Sequence, residues 1–294
     1  MRRTAWITKT TKKIIYIALL LCVFISNGQY SQSKIDCNTL FVCIPAEDYT
    51  ALFSTSFVKD TLFFCREEST KTNIDDYTGK YFIGEFATLE FLKPSDKNKF
   101  GDHLNDIGIE FKSRNIGILD SLKNSNSNVD IEKVYIESDT EKYLWYDSLK
   151  LKKNKTNLEF YILEYSAEYL KQLGFSETQL LEDISPSKYN EIVYKNKAYP
   201  RKFKSFKSIS IEVDTKGKKY LKQIAQQFKF KFYENFIDCK DFTIYYKLNK
   251  KIKNTILKNI EVNLTEPLSN KEIVLSKTIT ISISNKNAKI IFKK

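Results

Sequence analysis

Few residues in this chain are of a kind that does chemistry, and their spacing is informative mainly through what it excludes. There is one histidine, His103, in the loop-like run Gly101-Asp102-His103. A Ser-His-Asp or Cys-His relay would have to pass through it, and no neighbour stands out as its partner. No G-x-S-x-G, Walker loop or H-E-x-x-H occurs. Glu67–Glu68 and Asp75–Asp76 are adjacent carboxylates in a polar stretch. Neighbours on an extended chain point apart, so neither pair is set up for acid/base work.

Beyond residue 29 the cysteines are Cys37, Cys43, Cys65 and Cys239. An even number in an exported chain permits two disulfides, in any of three pairings. The alternative is buried free thiols packing as small hydrophobes. With no C-x-x-C and a single histidine, a zinc site is not expected. Aromatic-rich strands (Tyr143, Trp145, Tyr146; Phe160, Tyr161, Tyr165; Tyr245, Tyr246) read first as core and cover. Trp145, the only tryptophan past residue 29, is the aromatic expected at a ligand if one binds.

The elements that must position these groups follow from periodicity. Residues 1–29 have a basic start (Arg2, Arg3, Lys9, Lys12, Lys13), an apolar run of 12 from Ile14 to Ile25, and a polar close. Twelve residues span about 18 Å as a helix, short of a bilayer core of about 30 Å. The expectation is a cleaved signal peptide; Cys22 follows three leucines, which does not fit a lipoprotein signal. No later segment is apolar for long enough to span a membrane, so an exported protein is expected: periplasmic, outer-surface or extracellular.

Thr39–Ile44 reads as a buried strand ended by Pro45, and residues 46–58 carry Tyr49, Leu52, Phe53 and Phe57 on one helical face. Thr61–Cys65 is a strand, 66–79 a polar turn-rich stretch, and Lys80–Phe86 and Thr88–Leu92 two further strands. The order is β-α-β-β-β. It begins again at Asp106–Lys112, followed by a helix over 114–123, a loop at 124–128, and strands at Val134–Glu137, Tyr143–Tyr146 and Leu158–Glu164. A short helix over 166–174 stops at Gly174. Ser176 caps another helical stretch that ends near Pro186.

A Lys/Arg-rich connector, 195–207, contains Pro200. Beyond it the order starts a third time: strand Ser208–Val213, a helix with Tyr220, Leu221, Ile224, Ala225 and Phe228 inward, then strands Lys229–Phe236, Phe242–Leu248 and Leu257–Leu264. Thr278–Ser284, a turn at Asn285–Asn287, and Ala288–Phe292 predict a terminal hairpin. The domains expected are an N-terminal one over 30–194 and a basic C-terminal β-α-β-β-β-like module over 195–294, in an α+β fold of mixed, largely antiparallel, curved sheets.

Charge divides the same way. The chain is +12; residues 30–194 hold 19 basic and 28 acidic residues (−9), residues 195–294 hold 24 and 8 (+16). A lysine-rich surface chosen for solubility is the plain reading, and an anionic envelope component is the partner it would suit. Nucleic acid is not expected, because Arg201 is the only arginine of the basic half.

The stretch from Asn38 to Pro94, with N-T-L-F-V-C-I-P-A-E-D-Y-T-A-L and later Y-T-G-K-Y-F-I-G-E-F-A-T-L-E-F-L-K-P, resembles the vicinal-oxygen-chelate (glyoxalase-like) superfamily. More narrowly, Y-x-G-x-Y-x-x-G-E…E-x-F-x-P followed by the glycine-bearing strand Ile107–Phe111 is similar to a group of exported bacterial proteins with that module. The segment Leu257–Leu264 is similar to the strand that opens the second half of such a domain.

The resemblance implies a curved sheet enclosing a cavity, and commonly a divalent metal held by a first-strand His and a fourth-strand Glu. The glutamate position falls on Glu90. The histidine position falls near Thr39, a poor ligand. Glu110 and Glu212, on the opening strands of the later modules, are the conceivable partners of Glu90 in an oxygen-only site.

No resident cofactor is therefore expected. The leading functional expectation is a non-catalytic protein of the cell envelope that binds a small molecule or partner, with Glu90 and Trp145 as ligand residues. The alternative is a divalent-metal-dependent lyase, isomerase or dioxygenase.

Overall fold

The computed structural model describes residues 35–124, 127–137, 142–152, 156–193 and 202–293. The expected signal peptide, Pro200 and the connector up to Arg201 lie outside these residues. So does part of the 124–128 loop.

Strand β1 (Ile35–Cys43) leads into helix α1 (Ala46–Ala51), a π-helical turn (Val58–Leu62), and strands β2 (Phe64–Lys71), β3 (Asp76–Ile83) and β4 (Thr88–Leu92). A second unit runs β5 (Ile107–Ser113), α2 (Ile118–Asn124), β6 (Val129–Glu137), β7 (Lys142–Leu151) and β8 (Leu158–Tyr165). These strands form one sheet in the order β2-β3-β4-β1-β5-β8-β7-β6. The first and last strand of each unit pair in parallel, and β1 and β5 join the units antiparallel.

Twist carries this sheet round until its two edges meet. Thr72 pairs antiparallel with Ile136. Asn73 N–H donates to Tyr135 O at 3.2 Å, and Tyr135 N–H donates to Asn73 Oδ1 at 2.7 Å. The sheet is thus close to a closed barrel, with alternate residues of each strand lining its inside.

Three short helices follow: α3 (Ala167–Gln172), α4 (Glu177–Leu180) and α5 (Pro186–Val193). Gly174 has φ +103° just past α3, and Ser176 makes a capping box with Gln179 at α4. The third unit is β9 (Phe203–Val213), α6 (Thr215–Gln227, with the Asp214 carboxylate accepting from Gly217 N–H), β10 (Lys231–Phe232), β11 (Phe236–Asp238) and β12 (Thr243–Leu248). Long strands β13 (Ile256–Val274) and β14 (Ile279–Phe292) complete a sheet ordered β10-β11-β12-β9-β13-β14. Its first four strands repeat the order of β2-β3-β4-β1.

The outer face of the first sheet packs against the second sheet and α6. Leu40, Phe82, Phe91, Ile109, Phe111 and Phe160 join Phe203, Ile209, Leu221, Phe242 and Ile260 in one core. Phe63 stacks on Phe82 at 4.2 Å and meets Phe203 edge-on at 5.5 Å. Each such side chain contributes roughly 1.5–3 kcal/mol by leaving water.

Several expected elements change. The helix over 46–58 is α1 plus a separate π turn, and 66–79 is not turn-rich but the hairpin β2/β3. An edge strand has one covered face at most, so β2 carries polar residues and its periodicity is weak. Pro186 opens α5 rather than ending a helix, because proline suits the first helical position. Lys229–Phe236 holds two short strands, and residues 203–207 belong to β9. The terminal hairpin does not turn at Asn285–Asn287. There β14 runs on past a bulge opposite β13, with Asn285 at φ 54°.

Candidate functional site

The inside of the curled sheet is set by period-two alternation. On β5, Ile107, Ile109 and Phe111 point to the core, so Gly108, Glu110 and Lys112 point inward. On β4, Leu89 and Phe91 face the core and Glu90 the inside; on β3, Phe82 faces the core, and Tyr77, Gly79 and Tyr81 the inside. Register brings these together at mid-sheet: Tyr81 lies opposite Glu90, Glu90 beside Phe41, Thr39 opposite Glu110, and Glu110 beside Tyr161.

Room for the Glu90 carboxylate is made by an absence. A Cβ on Gly79 would lie 2.7 Å from Glu90 Oε1 and 3.1 Å from the Tyr81 hydroxyl. A Cβ on Gly108 would lie 1.8 Å from the Phe41 ring, which fills that space from its register partner on the adjacent strand β1. The Y-x-G-x-Y run of β3 thereby has a physical account: two phenols flanking a gap that a carboxylate fills.

Glu90 is 8% exposed, and its Oε1 has no hydrogen-bond partner among the described residues. Burial pushes its carboxyl up to about 7, opposed by a hydrogen bond from Tyr81. Glu110 rises to about 8, through burial first and then the charge of Glu90, opposed by the Thr39 hydroxyl. The phenols of Tyr77, Tyr81, Tyr146 and Tyr161 are all pushed upward by burial and by neighbouring carboxylates. Near neutral pH this is a pair of protonatable acids ringed by neutral hydroxyls.

Toward one end stands Phe100, whose ring lies 5.7 Å from Phe41 and 6.5 Å from Tyr161. Toward the other end stands Lys112, with Tyr165 and, from α5, Tyr189.

The sequence-derived candidates separate. Glu90 and Glu110 both face the inside, near enough for the charge of Glu90 to act on Glu110. Glu212 does not: it lies on β9 in the second sheet, held by Asn249 Nδ2 at 3.0 Å and Lys258 Nζ at 3.7 Å. Trp145 packs instead toward α3, its ring 6.2 Å from Tyr169, which also stacks with Tyr143. Its ring also meets that of Tyr146 edge-on at 4.8 Å. A bulge in β7 leaves its neighbour Tyr146 inside with the carboxyls. His103 sits in the exposed 94–106 loop, its Nδ1 3.3 Å from Asp106 and its Nε2 3.0 Å from Asn98.

Cys37, Cys43, Cys65 and Cys239 are free thiols rather than disulfides. Burial raises Cys43 to about 12 and Cys37 and Cys239 upward, so these three are not thiolate nucleophiles. Lys112, Tyr77 and Tyr81 were not singled out by sequence reasoning, and Tyr146 and Tyr161 only as members of aromatic-rich strands. The i, i+4 pair Tyr77/Tyr81 around Gly79 and the i, i+2 pair Glu110/Lys112 after Gly108 are the signals that could have found Lys112 and the first two tyrosines.

A glyoxalase-like fold implies a divalent metal in this hollow, and the donors can be tested against it. Glu90 and Glu110 offer oxygen only; beside them are Thr39 and Tyr161 hydroxyls. Among the described residues no group of three or more His, Cys, Asp or Glu side chains converges to hold an ion. The set does not fit a nitrogen-ligated transition-metal centre.

Two β-α-β-β-β units curled around a hollow, with a third alongside, define a protein of the glyoxalase-like fold class. The profile of DUF5829, a family of unknown function, matches residues 37–292, and the chain belongs to that family. Among solved structures, a hypothetical protein from Staphylococcus aureus is similar at 9% identity and TM-score 0.50, over 82% of this chain and 95% of that one. A xylose isomerase-like TIM barrel/4-hydroxyphenylpyruvate dioxygenase fusion protein aligns at 9% identity and TM-score 0.41, over 74% of this chain and 32% of that one. No curated protein matches. Among the described residues, no helix is long and apolar enough to cross a membrane.

Proposed function

We propose that this is an exported protein that binds a small, neutral, hydroxyl-rich ligand in the hollow of its first sheet, between Glu90 and Glu110. Binding, rather than turnover, is its role in the cell envelope. The observation that carries this is Glu90 Oε1, a buried carboxyl oxygen without a partner among the described residues, near a second acid and four phenols. An unpartnered buried polar atom costs about 1–3 kcal/mol, which a ligand hydroxyl would recover. A carboxyl near its midpoint both donates and accepts, which suits hydroxyls. An anionic ligand would meet like charge. Export rests on the basic-apolar-polar order of residues 1–29.

Thermal melting and calorimetry at pH 7 with neutral polyols and short sugars test the reading, with Mg²⁺, Ca²⁺, Mn²⁺ and Zn²⁺ run in parallel. A rise in melting temperature with a polyol, lost in Glu90→Met, is the expected result. Stabilisation by metal alone, or polyol binding untouched by Glu90→Met, overturns it. Turnover of a bound polyol returns the enzyme alternative.

A further inference from the structure

Lys112 stands on β5 two residues beyond Glu110, at the end of the hollow covered by α5. Its Nζ lies 3.5 Å from the Tyr189 ring centroid and 4.1 Å from that of Tyr165. It borders a pocket of about 100 Å³ whose walls include Asp36, Asn38, Thr88 and Asn190.

The carboxylate whose charge acts on Lys112 is already committed elsewhere. Asp36, its cross-strand neighbour, accepts a two-pronged contact from Arg114, Nε at 2.6 Å and Nη2 at 2.5 Å. A carboxylate neutralised by a guanidinium is a weak counter-ion for a second cation. Glu85 also lines the pocket, from the loop between β3 and β4. Lys112 makes no hydrogen bond or ion pair within contact distance to a described residue. The contacts it does make are with two ring faces, which favour the ammonium modestly. Burial acts the other way and brings the amine down to about 7, against a partial pull upward from Asp36.

We infer that Lys112 is a reactive amine, which condenses with the carbonyl group of a short aldehyde or ketone admitted to the pocket beneath α5. The nitrogen lone pair attacks the carbonyl carbon to give a carbinolamine. That intermediate loses the former carbonyl oxygen as water, together with the two amine protons, leaving an imine; no oxidant or reductant is consumed. The pocket selects by size. A cavity of about 150 Å³ takes a benzene ring, so this one admits only smaller molecules. Selectivity over surface lysines has a chemical origin too. An exposed lysine near pKa 10.4 is about one part in a few thousand free amine at pH 7. An amine titrating near neutrality is about half free, a gain of roughly a thousandfold partly offset by its lower intrinsic nucleophilicity.

The test is reductive labelling of the full chain at pH 7 with propanal and sodium cyanoborohydride, mapped by peptide mass spectrometry. Exposed lysines of the same molecule serve as the internal reference. Lys112 is expected to be labelled at least tenfold faster than their median, and to lose that lead when benzaldehyde replaces propanal. Glu90→Gln, which alters the polyol site, should leave the labelling unchanged, so the two readings fail separately. Labelling of Lys112 at the common rate, or an equal lead with benzaldehyde, overturns the inference.

Discussion

Replacing Glu90 by glutamine should make the protein more stable, by a margin that grows as pH rises from about 4.5 to about 7 and then levels off. A carboxyl held higher in the folded state than in the unfolded chain binds more protons when folded. Stability contributed by that group is therefore complete below the unfolded value and is lost as pH rises through the folded one. For Glu90 the interval runs from 4.5 to about 7. That difference is worth roughly 3 kcal/mol. Ionised Glu90 also raises Glu110, so the penalty above pH 7 is shared by the pair. Glutamine keeps the shape and removes the charge.

Denaturant unfolding at half-unit steps from pH 5 to 8.5 measures this. Near pH 5 the two proteins should unfold at similar denaturant concentrations. By pH 8.5 Glu90→Gln should be ahead by roughly 2–3 kcal/mol. Parallel pH profiles would refute the placement of Glu90 in a desolvated interior, whatever the ligand.

Gly79→Ala should cost about 1–3 kcal/mol by overpacking the Glu90 carboxylate, and the double variant Gly79→Ala/Glu90→Ala should regain part of that in a thermodynamic cycle. Asn73→Ala removes the side chain that accepts from Tyr135 N–H at 2.7 Å and donates to Lys133 O at 3.0 Å, so amide exchange should quicken in β2 and β6 but not in β9. Asp214→Ala deletes the cap of α6 and should lower stability by about 1 kcal/mol in thermal melts, with no effect on ligand binding.

The repeated β-α-β-β-β order was legible because inward-facing strands carry strong alternation: Thr88–Leu92 matches β4 residue for residue, and Ser208–Val213 lies within β9. The hairpin β2/β3 was not, since its polar edge strand reads like a loop. Of the site, Glu90 could be placed by its position in the motif and Glu110 by its place on an opening strand. That they share a hollow depends on register across β1, a long-range property that local pattern does not encode. Trp145 and Tyr146 show the difficulty from the other side. Adjacent aromatics on a regular strand face opposite ways, but a bulge here sets these two rings edge-on at 4.8 Å, and nothing in their composition announces it. Lys112 was hidden by the abundance of surface lysines, from which only burial distinguishes it.

Where β2 and β6 lean on each other near Thr72 and Ile136, main-chain donors that would otherwise recruit an extra strand are occupied by the same molecule. The first sheet is a poor template for a stranger's chain. Growth by strand addition is left to the other sheet, whose flanks are β10 and β14. The β10 flank is two residues long, and the β14 flank bears Lys286 and Lys289 with a bulge at Asn285. Short length, like charge and a kink all discourage docking of a second polypeptide there. Self-assembly into fibres is therefore resisted at both sheets by different means: one hides its rim, the other makes its rim unattractive.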